Sequence, residues 1–459
     1  MKPDWLKSYV KDEHLNELAR GSISFLSVRI FGLLLANVFN LLISRLYGPE
    51  SLGIYSLSAA ALQIAMLFGR MGLDNALVRF TAEYTAKKNP YAVKSVYRRS
   101  IYVGIICSLT AGVILYVLAP IFARSVFKNQ HITTAFRLIA LSVLPITLLY
   151  INAAHLRGKK KIKSFSFLVN VSQYLVGSII LSGCYFFFSQ DTIPVYAYAA
   201  AAFISVISSF ILVSRAEAET GEGDIPLQRG EEKPIGTGKL LRTSFPMLMS
   251  GAFSFFVAQT GTIMLGIFRS ETEVGIFSVG LKVAAVLTFT LTSVNSIAAS
   301  KFAESWSTGD TAGLKRITNF STRMIFWTTA PVAVIFLLIP RFLMSIFGDK
   351  ATGGATALSI LIIGELVNAF CGPVGTFLNM TGKQMVFQYF VLGATIVNIT
   401  LNWVLIPRMG INGAAIANAA GMISWNIASV IYIKKHFNIM PLYIPNFRHL
   451  NLKKLRGEK

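Results

Sequence analysis

The 459-residue chain is 54% hydrophobic and only 14% charged, with a mean hydropathy of +0.58. No soluble fold could cover that much apolar surface, so composition excludes one and points to a helix-rich chain in lipid. The formal net charge of +22 would suit a nucleic-acid partner, but the basic residues gather in short loops between apolar runs, which is membrane topology and not a polyanion site.

Met1 to Arg20 is too polar for a cleaved signal peptide, and Trp5–Arg20 reads as a weak interfacial helix. A spanning helix needs about 20 mostly apolar residues. Such runs lie at Ile23–Tyr47, Gly53–Leu73, Ser100–Ile121, Phe136–Leu156, Phe165–Phe188 and Val195–Ser214. After a polar connector come Phe245–Phe268, Val274–Ile297, Arg323–Ile346, Ala355–Leu378, Met385–Ile406 and Ile411–Ile433. The expected fold is therefore an all-α polytopic membrane protein of about 12 transmembrane helices. The domains are a first six-helix bundle over 1–214, a cytoplasmic connector over 215–243, a second bundle over 244–433 and a basic tail over 434–459. Cys107, Cys184 and Cys371 all fall in apolar runs and read as packing residues.

The two halves are diverged copies. Gly48–Tyr84 aligns without gaps on Ser270–Trp306, so that Gly53-Ile-Tyr-Ser falls on Gly275-Ile-Phe-Ser and Arg79-Phe80 on Lys301-Phe302. Pro120–Phe127 resembles Pro340–Phe347 in the same way. One set of alternating loops holds roughly 30 Lys and Arg and the other about five, which puts both termini in the cytoplasm. An even number of spans per half gives the halves one orientation, the arrangement of parallel transporter repeats around a central cavity.

GPESLGIYS, GLDNALVRFTAEY, LRGKKKIKSF and the IPRMGINGAAIANA run from Ile406 resemble the polysaccharide-biosynthesis flippases of the multidrug/oligosaccharidyl-lipid/polysaccharide exporter superfamily. The similarity covers nearly the whole chain. It implies two six-helix lobes around a cavity in a bacterial inner membrane. It also implies flipping of a polyprenyl-pyrophosphate-linked oligosaccharide to the outer leaflet, beside other polysaccharide-assembly membrane proteins.

Such a substrate carries phosphates and hydroxyls that lipid cannot solvate, so cations and amides inside the spans are the candidates. The first span offers Arg29, Asn37, Asn40 and Ser44 on one face; the seventh has Gln259 and Thr262 at the repeat positions of Asn37 and Asn40. The second carries Ser56, Gln63 and Arg70 as a stripe, with Asp74 one turn beyond Arg70, a spacing that also allows an ordinary ion pair. Lys282 lies deep in the eighth span, on a face with Ser278 and Ser293. Its repeat mate is Ala60, so the scaffold alone did not require the charge.

Glu365, in the tenth span, has Asn368 on its face and Pro373 beyond. It suits either a static pair with Lys282 or Arg29, or proton or sodium coupling. The amides suit either a cavity or helix–helix bonding. No cofactor, metal-ligand spacing, nucleophile–base set or P-loop is present, so an enzyme is not expected. Short outer loops disfavour a glycan polymerase or ligase. A multidrug or cation antiporter of the same superfamily is the alternative.

Overall fold

A computed structural model describes residues 28–443 apart from 29, 88, 128, 131, 189 and 220–234. All regular structure among these residues is helical, as the apolar runs require: in lipid a backbone must satisfy its own hydrogen bonds. The protein is an all-α polytopic membrane protein. Arg29, the Trp5–Arg20 stretch, much of the connector and most of the basic tail lie outside the described residues.

The first half begins with α1 (30–42), a π-turn at Ile43–Tyr47 and α2 (Gly48–Arg70). It continues through α3 (Leu73–Ala86), α4 (Pro90–Ile121), α5 (Ile132–Leu141), α6 (Val143–Gly158), α7 (Ile162–Phe167), α8 (Gln173–Tyr185) and α9 (Ile193–Glu219). The second half runs α10 (Thr237–Phe268), α11 (Glu271–Ala284), α12 (Thr288–Ser307), α13 (Thr311–Leu338), α14 (Pro340–Ser345), α15 (Ala355–Cys371), α16 (Val374–Met380), α17 (Gln384–Met409) and α18 (Ile411–Phe437). Nine segments among the described residues are long and apolar enough to cross a bilayer, where the hydropathy pattern suggested about 12.

The difference has local causes. The turn between the first two expected spans is concentrated in one residue, Gly48 at φ 91°, so α1 and α2 count as one run. The chain nevertheless folds back there, because Phe39 and Tyr55 sit with ring centroids 5.4 Å apart. The expected eighth span is broken: α11 ends at Ala284, and α12 starts at Thr288. The tenth also breaks, where Gly372 at φ 69° and Pro373 separate α15 from α16. Pro373 lacks the donor that would carry the helix on.

The chain forms two compact units, and their borders do not follow the repeat. The first takes Met1–Val279 with Met344–Gly354 and Ile406–Ile411; the second takes Gly280–Leu343, Ala355–Leu405 and Asn412–Lys459. The first unit has a core of Leu73, Leu77, Phe80, Val93 and Ile151, and the second one of Phe302, Leu314, Val374, Phe377 and Ile433. Ile106, Val113, Val117 and Leu338 are exposed, as lipid-facing side chains are.

Within the first unit the two repeat copies cross on their glycines. A methyl added at Gly53 would lie 1.8 Å from the Glu271 carbonyl oxygen, and one added at Gly275 would lie 1.8 Å from that of Pro49. Pro49 and Glu271 are themselves repeat mates, so the contact is reciprocal. Two arginines hold helix ends nearby. The Arg45 guanidinium donates to the Ile346 and Ser345 carbonyls at 2.7 and 2.8 Å, and that of Arg269 to Ile406 and Pro407 at 3.2 and 2.8 Å. Carbonyls at a helix C-terminus lack internal donors and favour a cation.

Replacing Gly275 by Val should force this crossing apart and destabilise the protein by about 1–3 kcal/mol, the usual cost of overpacking. Gly183, with open space where a Cβ would stand, is the control. Gly183→Ala should be neutral or stabilising by about 0.5–1 kcal/mol. Thermal unfolding of the detergent-solubilised protein checks both.

Candidate functional site

The polar residues of the first unit divide between those spent locally and those left available. Asn37 and Asn40 each turn the amide donor onto a carbonyl of their own helix, that of Leu33 (2.9 Å) and of Ala36. Such back-bonding is the ordinary fate of a short amide in a helix. Ser44 donates to the Phe347 carbonyl. Gln259, the repeat mate of Asn37, instead meets Gln63 of α2, Nε2 to Oε1 at 3.4 Å. The structure thus joins two of the candidate amides across helices that the alignment treated separately.

Arg70 is the last residue of α2. Met71 (φ 45°) and Gly72 (φ 72°) then leave the helical region before α3 starts at Leu73. Its guanidinium is 3.4 Å from the Asp74 carboxylate and 4.4 Å above the centre of the Tyr150 ring. Both side chains of the ion pair keep about a fifth to a quarter of their surface exposed. An exposed pair of this kind contributes little to stability. The cation sits in the last turn of α2, where the helix dipole favours it.

On the far side of α2 is a cavity of about 440 Å³ lined by Leu57, Ile64, Phe68, Leu115, Phe122 and Ile263, among other apolar side chains. It suits hydrocarbon. A period of 3.6 residues puts these α2 positions on the face opposite Gln63 and Arg70.

In the second unit Lys282 is likewise in the last turn of its helix segment, α11. The three residues after Ala284 are held by i→i+3 bonds, Val286 to Val283 (3.2 Å), Leu287 to Ala284 (3.0 Å) and Thr288 to Ala285 (3.2 Å). A tight turn of this kind inside a span often marks a hinge. Lys282 is half-buried and makes no hydrogen bond or ion pair among the described residues. Ser278 is buried on the same segment, but Ser293 lies beyond the break and bonds its own helix at Phe289 (2.9 Å). The break therefore splits the Ser278–Lys282–Ser293 face.

Glu365 of α15 is buried. It accepts from Asn368 Nδ2 at 3.3 Å, and Asn368 Oδ1 accepts from Asn426 Nδ2 of α18 at 3.1 Å. No ion pair joins Glu365 to Lys282. A carboxylate buried with one amide and no cation is costly while charged. Asn426 was not among the sequence candidates. The first half has a similar link: Asn152 of α6 donates to Ser209 of α9 at 2.8 Å and accepts from the Tyr97 hydroxyl at 2.8 Å. Each half thus ties its fourth span to its sixth through asparagine, Asn152 to Ser209 in the first and Asn368 to Asn426 in the second. No group of three His, Cys, Asp or Glu among the described residues could hold a metal.

A sequence model described as polysaccharide biosynthesis protein matches residues 18–300 of this chain, and a MatE model matches 246–404. The chain belongs to the polysaccharide biosynthesis protein family. It is 22% identical over 424 residues to an uncharacterized membrane protein of Methanocaldococcus jannaschii, spanning 86% of this chain and 80% of that one. Over 186 residues it is 26% identical to the probable flippase AglR of Haloferax volcanii, 39% of this chain and 38% of the relative.

Its fold is similar to that of an inward-facing multidrug resistance MATE transporter of the MOP superfamily. The TM-score is 0.73 at 14% identity, over 91% of this chain and 98% of the other. It is also similar to the inward-closed lipid II flippase MurJ, with a TM-score of 0.71 at 13% identity over 91% and 89%. Family and fold are those of membrane transporters.

Asn368→Ala would leave Glu365 without its donor and the Asn426 amide with only the Met422 carbonyl as acceptor. The expected cost is about 1–3 kcal/mol, read as a lowered thermal midpoint.

Proposed function

We propose that this member of the polysaccharide biosynthesis family flips a polyprenyl-diphosphate-linked oligosaccharide from the cytoplasmic to the outer leaflet for cell-surface polysaccharide synthesis. It acts in the cytoplasmic membrane with both termini inside, by the alternating access that parallel repeats support. The observation that carries the reading is the placement of Arg70 and Lys282. Each is a cation in the last turn of a helix segment that stops within its predicted span. Lys282 is deep in its span, where a charge is costly and kept for a partner or a substrate, while Arg70 stands near the inner end of its own. A diphosphate is the group they suit, while the prenyl tail stays in hydrocarbon. Arg29 belongs to the same proposal on sequence grounds.

Glu365 is the coupling residue in this scheme. A buried carboxylate with an amide network and no cationic partner among the described residues can take up a proton or a sodium ion as the conformation changes. A multidrug or cation antiporter is the second reading, favoured by the MatE match over 246–404. Such a protein would be expected to line its site with acids, whereas among these candidates the cations outnumber the one deep acid.

Deleting the protein should leave a lipid-linked glycan facing the cytoplasm, identified by mass spectrometry. Lys282→Ala should abolish export with membrane insertion unchanged, and normal export would remove Lys282 from the site. Glu365→Gln should flatten the dependence of export on pH; an unchanged profile would leave Glu365 a structural residue. Accumulation of drugs, with no lipid-linked glycan, would favour the antiporter.

A further inference from the structure

Five helices of the first unit converge on a cluster of aromatic rings: Phe39 from α1, Tyr55 from α2, Tyr150 from α6, Tyr174 from α8 and Tyr198 from α9. Ring centroids are 5.4 Å apart for Tyr55–Tyr198, 6.4 Å for Tyr174–Tyr198, and 5.4, 6.1 and 6.2 Å from Phe39 to Tyr55, Tyr174 and Tyr198. Tyr150 lies near Tyr174 and Tyr198 and carries the Arg70 guanidinium over its face at 4.4 Å. Phe39, Tyr55, Tyr174 and Tyr198 therefore make a ladder of rings in contact, and Tyr150 with its cation lies near it.

Packing explains the rings but not the hydroxyls. Phe39 and Tyr55 are buried, the other three half-buried, and a buried tyrosine normally finds a hydrogen-bond partner for its hydroxyl. Among the described residues the hydroxyls of Tyr55, Tyr150, Tyr174 and Tyr198 bond to no protein group, and Tyr150, Tyr174 and Tyr198 keep part of their side-chain surface exposed. Four hydroxyls that leave their partners to be supplied, three of them on partly exposed side chains, make a polar, aromatic-walled surface inside a membrane bundle. A purely structural aromatic core would be served as well by phenylalanine.

We propose that this tyrosine ladder is a saccharide-binding surface, on which the glycan of a lipid-linked substrate stacks its pyranose faces and bonds its hydroxyls while Arg70 takes the adjoining diphosphate. Sugar rings carry apolar C–H faces that pack on aromatic rings and edge hydroxyls that pair with phenols. Tyrosine offers both at low cost in side-chain freedom. The inference rests on the flippase reading above and adds which part of the substrate this half holds.

The test uses the triple variant Tyr55→Phe/Tyr174→Phe/Tyr198→Phe, which keeps the rings and removes three hydroxyls. Two probes are used with the full-length purified protein: the lipid-linked oligosaccharide extracted from the deletion strain, and bare polyprenyl diphosphate. The wild type should bind the glycan-bearing lipid about tenfold more tightly. The triple variant should lose that preference, keep its affinity for bare polyprenyl diphosphate and unfold at the same temperature. In cells it should export several-fold less glycan. If the variant retains both the preference and normal export, the ladder is a structural core and the inference is overturned. The same holds if the wild type shows no preference between the probes. If the triple variant does not fold, the single variant Tyr198→Phe is measured with the same probes and the same criteria. Absence of any accumulated lipid-linked glycan in the deletion strain would instead overturn the flippase reading itself.

Discussion

The architecture depends on a close approach of two backbones. At Gly53 and Gly275 the duplicated segments cross so tightly that a single methyl group on either would stand 1.8 Å from a carbonyl oxygen of the other. In lipid no hydrophobic effect drives helices together, so contact is won by packing, and small residues allow the closest packing. The same reciprocal crossing explains why the Gly-Ile-aromatic-Ser element occurs in both copies. Each copy is the other's binding partner. Arg45 and Arg269 secure the surrounding helix ends through carbonyls that have no donor of their own.

Around this shared scaffold the two halves differ in where they are interrupted. The first loses its helix after Arg70, at two residues of positive φ; the second loses it after Ala284, without glycine or proline. The aligned positions do not match, because Ala285–Leu287 falls on Gln63–Ala65, which is helical. What the halves share is the sequence of events: a cation in the last turn, then a break. Duplication supplied the frame, and each copy placed its charge and its discontinuity separately. The asparagine links between fourth and sixth spans show the converse, one solution kept in both halves with different neighbours.

The fold class was legible because hydropathy, loop charge and the internal repeat all report on lipid. The Arg70–Asp74 pair was legible too, since a spacing of four residues on a helix fixes the contact. The break in the eighth span was not. Ala285-Val-Leu is a good apolar helical sequence, and only tertiary packing interrupts it. Nor was the meeting of Gln259 with Gln63, or of Asn368 with Asn426, because each depends on which helices become neighbours. The tyrosine ladder was hidden for the same reason: its members come from five helices, and none stands out on its own.

The division into compact units bears on how the protein is made. The first unit takes in Met344–Gly354 and Ile406–Ile411, so its contacts are incomplete until nearly the whole chain has left the ribosome. Membrane insertion can proceed span by span, but tertiary closure of the first half waits on residues synthesised more than a hundred positions after its own last helix. Until then Arg45 lacks the Ser345 and Ile346 carbonyls it holds in the folded protein. The early half of the nascent chain is thus exposed to mispairing with other membrane helices for most of its synthesis.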